Sequence, residues 1–403
     1  MPLIRGNHRL LKKVNQTQVL DIIRTSGPLS KAELAKRTRL TFAAVSKIVK
    51  GLEETGIIVP IGEGKSSGGR KPILYQLNPD AFVAAAVELS VEDVKMALLD
   101  VRTRVVGEIR VPAPPNREPS DYVDTIASCL NRLLEETGVE KDKILGMGVS
   151  SPGPVDAGTG EVFYPPNLPK WGIVPLKSLL EESLGLVVKV EKDGNVSALG
   201  ERWLGAGKDV DNLVYVLVGE GIGGGILING ALYRGSLFGA GEIGHGTVDM
   251  NGPRCNCGNT GCLEVMASGL AVVKKVKSEL EKGETSSFYE QPENLSFPIV
   301  LKALQEGDGL TQQAFREAAQ ILGMGITGVL NSFNPERVII GGKVPRAFPE
   351  MVDIAAQTAR ERVISVFRDK VCVVPEELGE RSALIGAAAL VLEELFTLRW
   401  MKS

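Results

Sequence analysis

PLSKAELAKRTRLTFAAVSKIVKGLEETGII, residues 28–58, is the stretch on which the architecture of the amino-terminal region turns. Ser30 stands before a helical pattern and Glu33 follows three residues later. That is the capping-box spacing, in which each side chain satisfies the other residue's orphan N–H. The helix it opens, Lys31–Arg37, ends before Leu40-Thr41. Thr41 caps a second helix, Phe42 to Thr55, and Gly56 closes it. Ala35, Leu40, Val45, Ile48 and Leu52 give the apolar spacing that packs two short helices across a tight turn. The outward face of the second helix offers Phe42, Ala43, Ser46, Lys47 and Lys50. These are small, hydroxyl-bearing or basic, which suits a helix entering a major groove.

Upstream, Gln16–Thr25 reads as a helix with Val19, Leu20, Ile22 and Ile23 on one side, broken by Gly27-Pro28. Downstream, Ile57–Val59 reads as a strand and Ile73–Leu77 as its return strand. Between them lies a Gly/Ser loop ending Gly68-Gly69-Arg70-Lys71-Pro72. Two glycines let a backbone approach DNA closely, and an arginine there enters a minor groove. Residues 1–78 are therefore expected to form a winged helix-turn-helix that binds operator DNA. Its contacts are expected from Thr41, Phe42, Ser46, Lys47, Lys50, Arg70 and Lys71.

Charge follows the same division. Residues 1–80 carry 14 Lys and Arg against 6 Asp and Glu, a net of +8, on a 403-residue chain whose total is −3; the rest holds −11. A basic head on an acidic body fits a polyanion-binding module joined to something else. No apolar run approaches the ~20 residues needed to span a bilayer, and Met1–His8 lacks the apolar core of a signal peptide. A cytoplasmic protein with no membrane partner is expected. Cys129 and Cys372 stand alone in apolar segments and read as small core residues.

From Phe82 the pattern changes. Val83–Leu89, Lys95–Asp100 and Val105–Val111 read as three consecutive strands, and Leu213–Val218, Gly225–Ile228 and Ala231–Arg234 repeat that layout. Helices follow each set: Tyr122–Glu136 after the first, Ser268–Lys282 and Gln312–Phe333 after the second. Repeated strand–strand–strand–helix halves imply an α/β body of two lobes with a cleft between them. The lobes are expected over residues 79–196, joined by a carboxy-terminal helix at 382–400, and over residues 197–381.

His245, Cys255, Cys257 and Cys262 make a His-Cys₃ set, enough for a closed tetrahedral zinc site. In a chain of this kind a tight cysteine cluster points to a metal before it points to disulfides. With no open position the metal would be structural.

Glu242-Ile-Gly-His245 followed by Cys255-Asn-Cys257-Gly-Asn-Thr-Gly-Cys262-Leu-Glu264 resembles the ROK family, which groups bacterial sugar kinases with sugar-responsive repressors on the actin/hexokinase-like fold. With the winged helix at its front, nearly the whole chain resembles the repressor branch. The resemblance implies that zinc stiffens a loop carrying sugar-contacting residues. It implies sugar contacts from Gly153, Asn167, Lys192, Asp193, Glu242, His245 and Glu264, the histidine through its metal-free nitrogen. Asp193, in Glu191-Lys-Asp-Gly-Asn195, corresponds to the kinases' general base. Carboxylates suit a sugar because each accepts hydrogen bonds from two hydroxyls. One departure stands out: the family has Asn where this chain has Lys192. Specificity differs accordingly, or Lys192 pairs with Asp193.

The kinases carry a first phosphate loop of the form Asp-x-Gly-Gly-Thr-Lys. This chain reads Glu88-Leu-Ser-Val-Glu-Asp93, without either glycine and with Glu92 and Asp93 replacing Thr and Lys. The second loop, Gly219-Glu-Gly-Ile-Gly-Gly-Gly225, keeps its glycines but has Glu220 for the usual Thr. Acidic side chains facing a polyanion argue against productive ATP binding, and Gly341-Gly342 resembles the family's adenosine-side turn. The expectation is a regulator, not an enzyme: a repressor whose body binds an unphosphorylated sugar, with Asp193 a vestigial base, working as a homodimer or larger homo-oligomer on a palindromic operator. The alternative is an ATP-dependent sugar kinase, of glucokinase or N-acetylglucosamine kinase type, with a DNA-binding head.

Overall fold

The cap at Ser30 shows why the head folds as it does. In the computed structural model, which describes residues 8–64, 71–165, 168–289 and 295–396, the Glu33 N–H donates to the Ser30 hydroxyl at 3.3 Å. The Ser30 N–H donates back to the Glu33 carboxylate at 2.8 Å. Around this box run α1 (His8–Ser26), β1 (Leu29–Ser30), α2 (Lys31–Thr38), α3 (Phe42–Glu54), β2 (Ile58–Glu63) and β3 (Ile73–Leu77). The strands pair in the order β1-β3-β2, which makes a three-stranded wing. Periodicity predicts α1 only from Gln16; the helix begins at His8, because Leu10-Leu11-Lys12-Lys13 are good helix formers that add no amphipathic pattern. The two-residue β1 is too short to leave any pattern. Leu34, Val45, Val49 and Leu52 are buried, whereas Ala35, Leu40 and Ile48, expected in the core, are half-buried. The wing tip, with Arg70, lies outside the described residues.

The body starts with the meander β4 (Val83–Leu89), β5 (Asp93–Asp100) and β6 (Val105–Pro112), antiparallel throughout. Helix α4 (Pro119–Thr137) and β7 (Ile144–Ser151) follow. Next come the short β8 (Val155–Asp156), β9 (Glu161–Phe163) and β10 (Ile173–Val174), then α5 (Leu176–Leu184), β11 (Val188–Lys192) and α6 (Asp193–Leu204). A second meander repeats the first: β12 (Leu213–Val218), β13 (Ile222–Ile228) and β14 (Ala231–Leu232). It leads to α7 (Leu263–Ala267), α8 (Gly269–Glu281), α9 (Phe297–Gln305), α10 (Gly309–Phe333), β15 (Arg337–Gly341), α11 (Lys343–Ala347), α12 (Glu350–Arg362), β16 (Val373–Pro375) and α13 (Ser382–Phe396).

The two five-stranded sheets have matching orders, β6-β5-β4-β7-β11 and β14-β13-β12-β15-β16. In each, a meander is extended on its first strand by two strands that arrive after a helix. That is the internal repeat read from the sequence. In the second sheet β12 pairs antiparallel with β13 and parallel with β15. The parallel-paired β15 accordingly carries a buried hydrophobic run, Val338-Ile339-Ile340, whereas the edge strand β16 is half-buried.

The chain gathers into two compact units. The first holds the chain up to Val149, Val174–Val190 and the chain from Ala387 on; the second holds Ser150–Ile173 and Glu191–Gly386. The winged helix thus shares a unit with the first sheet, and residues 150–173 join the second. The second unit has a core in which Val214, Val216, Ile340, Leu263, Phe315 and Leu322 are each at most 1% exposed. Within it α6 crosses the start of α13 at very close range: a Cβ on Gly386 would sit 1.8 Å from the Val196 carbonyl oxygen. Glu201, fully buried on α6, accepts from the Ser382 hydroxyl at 2.8 Å and from the backbone N–H of Ala206, Glu377 and Leu378. A buried carboxylate needs this many donors to offset its lost hydration. Among the described residues no helix is long and apolar enough to cross a membrane. Cys129 is buried and Cys372 half-buried.

Candidate functional site

The outward face of α3 is as the sequence predicts. Phe42, Ala43, Lys47 and Lys50 are exposed and Ser46 is half-buried. Phe42 stands 58% exposed, too much for a core residue. The Thr41 hydroxyl accepts from the Ala44 N–H at 3.2 Å, so it is tied up as a cap but keeps its own O–H to donate. Lys50 meets Glu54 at 3.8 Å and Lys71 meets Glu63 at 3.5 Å, all largely exposed. Such pairs hold for a fraction of a kcal/mol and open readily to a phosphate.

The His-Cys₃ set comes together in the second unit. The Nδ1/Nε2 or Sγ atoms of His245, Cys255, Cys257 and Cys262 all lie within 4.8 Å of one another. Cys257 Sγ and Cys262 Sγ are 3.7 Å apart, as are Cys255 Sγ and His245 Nδ1. A tetrahedron with Zn–S of 2.3 Å has edges of about 3.8 Å, so the set has the size of a zinc shell. Tight turns make this possible. The Gly258 N–H returns to the Cys255 carbonyl at 3.0 Å, and the Cys255 N–H reaches the Asn259 carbonyl at 2.8 Å. Gly261 has φ +65°, and a Cβ there would lie 1.5 Å from the Asp249 carbonyl oxygen, so no other residue fits. Burial and the neighbouring sulfurs push the Cys262 thiol up to about 12. The Asn259 backbone N–H, then the Cys255 side chain, lower that of Cys257. Three thiols this close resist shared ionisation until a dication supplies the compensating charge.

His245 uses Nδ1 toward the sulfurs and turns Nε2 toward Glu242, whose Oε2 is 3.9 Å away. Both side chains are about one-third exposed, so solutes reach this face. Glu264 is the second residue of α7, directly after Cys262 and Leu263. Its Oε2 accepts from the Ile222 N–H at 3.1 Å. Asp193 opens α6, and its Oδ1 accepts from the Gly194 N–H at 2.6 Å. Gly153 lies in the turn between β7 and β8, facing Pro165 and Phe163. Asn167 lies outside the described residues.

Lys192, the departure from the family pattern, is buried with 5% of its side chain exposed. Its ammonium is taken by Glu242 Oε1 at 2.9 Å and the Ala240 carbonyl at 2.8 Å, not by Asp193. Its neighbour Glu191, 1% exposed, pairs with Arg234 at 2.6 Å and accepts from Asn195 Nδ2 at 2.9 Å. Glu191 and Lys192 thus grip both ends of the 234–242 loop. Neither Glu191 nor Arg234 is singled out by sequence, since their partnership spans 43 positions.

The turn expected as the first phosphate loop and the adenosine-side turn at Gly341-Gly342 are both held by the chain's own carboxylates. At the end of β4 the Ser90 N–H donates to the Asp93 carbonyl at 3.0 Å, and the Ser90 hydroxyl bonds the Asp93 carboxylate at 2.8 Å. Asp93 also pairs with Arg110 at 2.5 Å. The turn is thus closed on itself, and Asp93 is a paired carboxylate rather than the bare added charge that the sequence suggests. In the second unit Glu376 accepts from the Gly342 N–H at 3.1 Å, from Arg346 at 2.5 Å and from the Tyr215 hydroxyl at 2.6 Å. Burial and the adjoining carboxylate push the Tyr215 phenol well above its usual range, so it stays a donor.

Residues 84–394 match the model of the ROK family. The chain belongs to the ROK family. Residues 13–65 match a MarR family model, in keeping with the winged helix observed there. Among curated relatives, the xylose repressor of Caldicellulosiruptor bescii is 31% identical over 97% of this chain and 98% of its own length. The DNA-binding transcriptional dual regulator NagC of Escherichia coli is also 31% identical, over 96% of this chain and 94% of its own. Among solved structures, a ROK family transcriptional regulator described as a homologue of the E. coli Mlc protein superposes with a TM-score of 0.83. It shares 26% identity and covers 97% of this chain and 98% of its own. All three span the head and the body together, and so share the repressor arrangement of the family rather than its body alone.

Proposed function

We propose that this chain is a sugar-responsive transcriptional repressor. The α3 face and the wing bind operator DNA, and an unphosphorylated sugar binds the second unit through Asp193, Glu242, His245 and Glu264, with Gly153, Asn167 and Lys192 bordering it. A structural zinc held by His245, Cys255, Cys257 and Cys262 fixes the loop from Glu242 to Glu264. The observation that carries the reading is the end-to-end match of head plus body to named transcriptional regulators, a xylose repressor among them.

His245 joins the two parts of the site. Its Nδ1 belongs to the metal shell, which leaves Nε2 beside Glu242 to meet a hydroxyl. Glu264 Oε1 and Glu242 Oε2 supply acceptors that suit a polyol. Two protomers present two heads to a palindromic operator, and sugar shifts how they are held.

The kinase reading draws on the glycines kept at Gly219–Gly225. Against it stand the closed Ser90–Asp93 turn and the carboxylate lodged at Gly342. A thermal-shift screen of the full chain against a panel of free sugars, run beside an ATP-coupled ADP-release assay, separates the readings. A repressor raises its melting temperature with one sugar class and releases no ADP above background. ADP release that depends on sugar and on Asp193 would establish the kinase instead.

A further inference from the structure

We propose that Lys192 determines which sugar the site takes, by removing one hydroxyl from the set that is read. This rests on the sugar-binding reading above and deepens it. A lysine side chain with 5% exposure is costly to bury and needs partners. Lys192 finds two, Glu242 Oε1 at 2.9 Å and the Ala240 carbonyl at 2.8 Å, which spend two of its three N–H donors. The same contacts spend one of the two carboxylate oxygens of Glu242. At this corner the site is left with Glu242 Oε2, which faces His245 Nε2 at 3.9 Å.

A carboxamide at position 192 would act differently. It would leave both Glu242 oxygens open to hydroxyls and add a donor and an acceptor of its own. Lysine offers no acceptor at all. A site that hydrogen-bonds a hydroxyl through paired groups rejects the analogue lacking it, because buried polar groups are then left unpaired. Here those groups are already paired with each other, so losing the hydroxyl strands nothing. The ligand class is a neutral sugar whose substituent at this corner is free to vary: hydroxyl, hydrogen, ether or acylamino. Net charge points the same way against sugar acids and sugar phosphates. Asp193, Glu242 and Glu264 outnumber Lys192, so the corner stays anionic.

The 234–242 loop is part of the device. Glu191 grips Arg234 at 2.6 Å while Lys192 grips Ala240 and Glu242, so adjacent residues at the end of β11 hold both ends of one loop. Lys192 is therefore a positioning residue for Glu242 as well as a determinant of selectivity.

The test uses the full chain and the sugar found by thermal-shift screening, compared with its deoxy and O-methyl derivatives at each ring position. Affinities are measured by calorimetry for the wild type and for Lys192→Asn. In the wild type, one position tolerates loss of its hydroxyl within about threefold while the others lose tenfold or more. In Lys192→Asn that same position becomes sensitive by tenfold or more. A wild-type profile sensitive at every position overturns the proposal without any variant, should Lys192→Asn fail to fold. Identical profiles in the two proteins also overturn it while leaving the sugar reading intact. Absence of binding by any sugar to either protein removes the sugar reading and this inference with it.

Discussion

Ser30 and Glu33 show how much one pair of side chains can carry. The Ser30 hydroxyl and backbone N–H hold the Glu33 carboxyl below its usual range, backbone contact first. A depressed carboxylate pKa adds stability above the unfolded-state value and loses it as pH falls through the folded-state value. Ser30→Ala is expected to cost about 1 kcal/mol and to flatten the loss of stability between neutral and acid pH. Thermal melts of both proteins across that range check it; parallel curves would show that the cap does not contribute to the pH dependence, and coincident curves that it does not contribute at all. The capping box was readable from spacing alone because both partners lie within one turn. Lys192 was readable only as an anomaly. Its partners lie 48 and 50 residues away, and no local pattern announces a pairing at that distance.

The loop from Glu242 to Glu264 is the element in which fold and site are one object. Its turns put an imidazole and three sulfurs at about the edge length of a zinc tetrahedron, and Gly261 admits no side chain. Metal should therefore be stoichiometric. Because Cys262 holds its proton to about 12 when metal-free, loading near neutral pH should release protons and weaken as pH falls. Cys257→Ser, or a strong chelator, is expected to remove the metal and lower the melting temperature by several degrees. Elemental analysis beside a melt decides it, and retention of one equivalent of metal by Cys257→Ser would count against the assignment. The cysteine spacing made this element legible in advance. The strands of both meanders were also legible, although β13 begins at Ile222, three residues before the expected Gly225, because a run of glycines carries no apolar pattern. The turn at Ser90–Asp93 was legible as a departure from the kinase pattern but not in its own bonding. Sequence shows Asp93 as an added charge, whereas the fold supplies Arg110 from β6 and closes the turn.

At the scale of the whole molecule, a basic head and an acidic body form a single regulator only if ligand in one alters DNA binding by the other. Relatives that match from end to end carry both parts, so the combination is inherited as a unit. In the proposed DNA complex Lys47, Lys50 and Lys71 meet phosphates, so affinity should fall steeply with salt, by roughly 0.9 in log–log slope per phosphate neutralised. The most direct measurement is fluorescence anisotropy of the purified full chain on DNA from its own upstream region, with and without the sugar selected by thermal shift. The account predicts binding at least about 1,000-fold tighter than to scrambled DNA, weakened roughly 5- to 150-fold by saturating sugar. Equal affinity for operator and scrambled DNA, or operator affinity indifferent to a sugar that demonstrably binds, would contradict it.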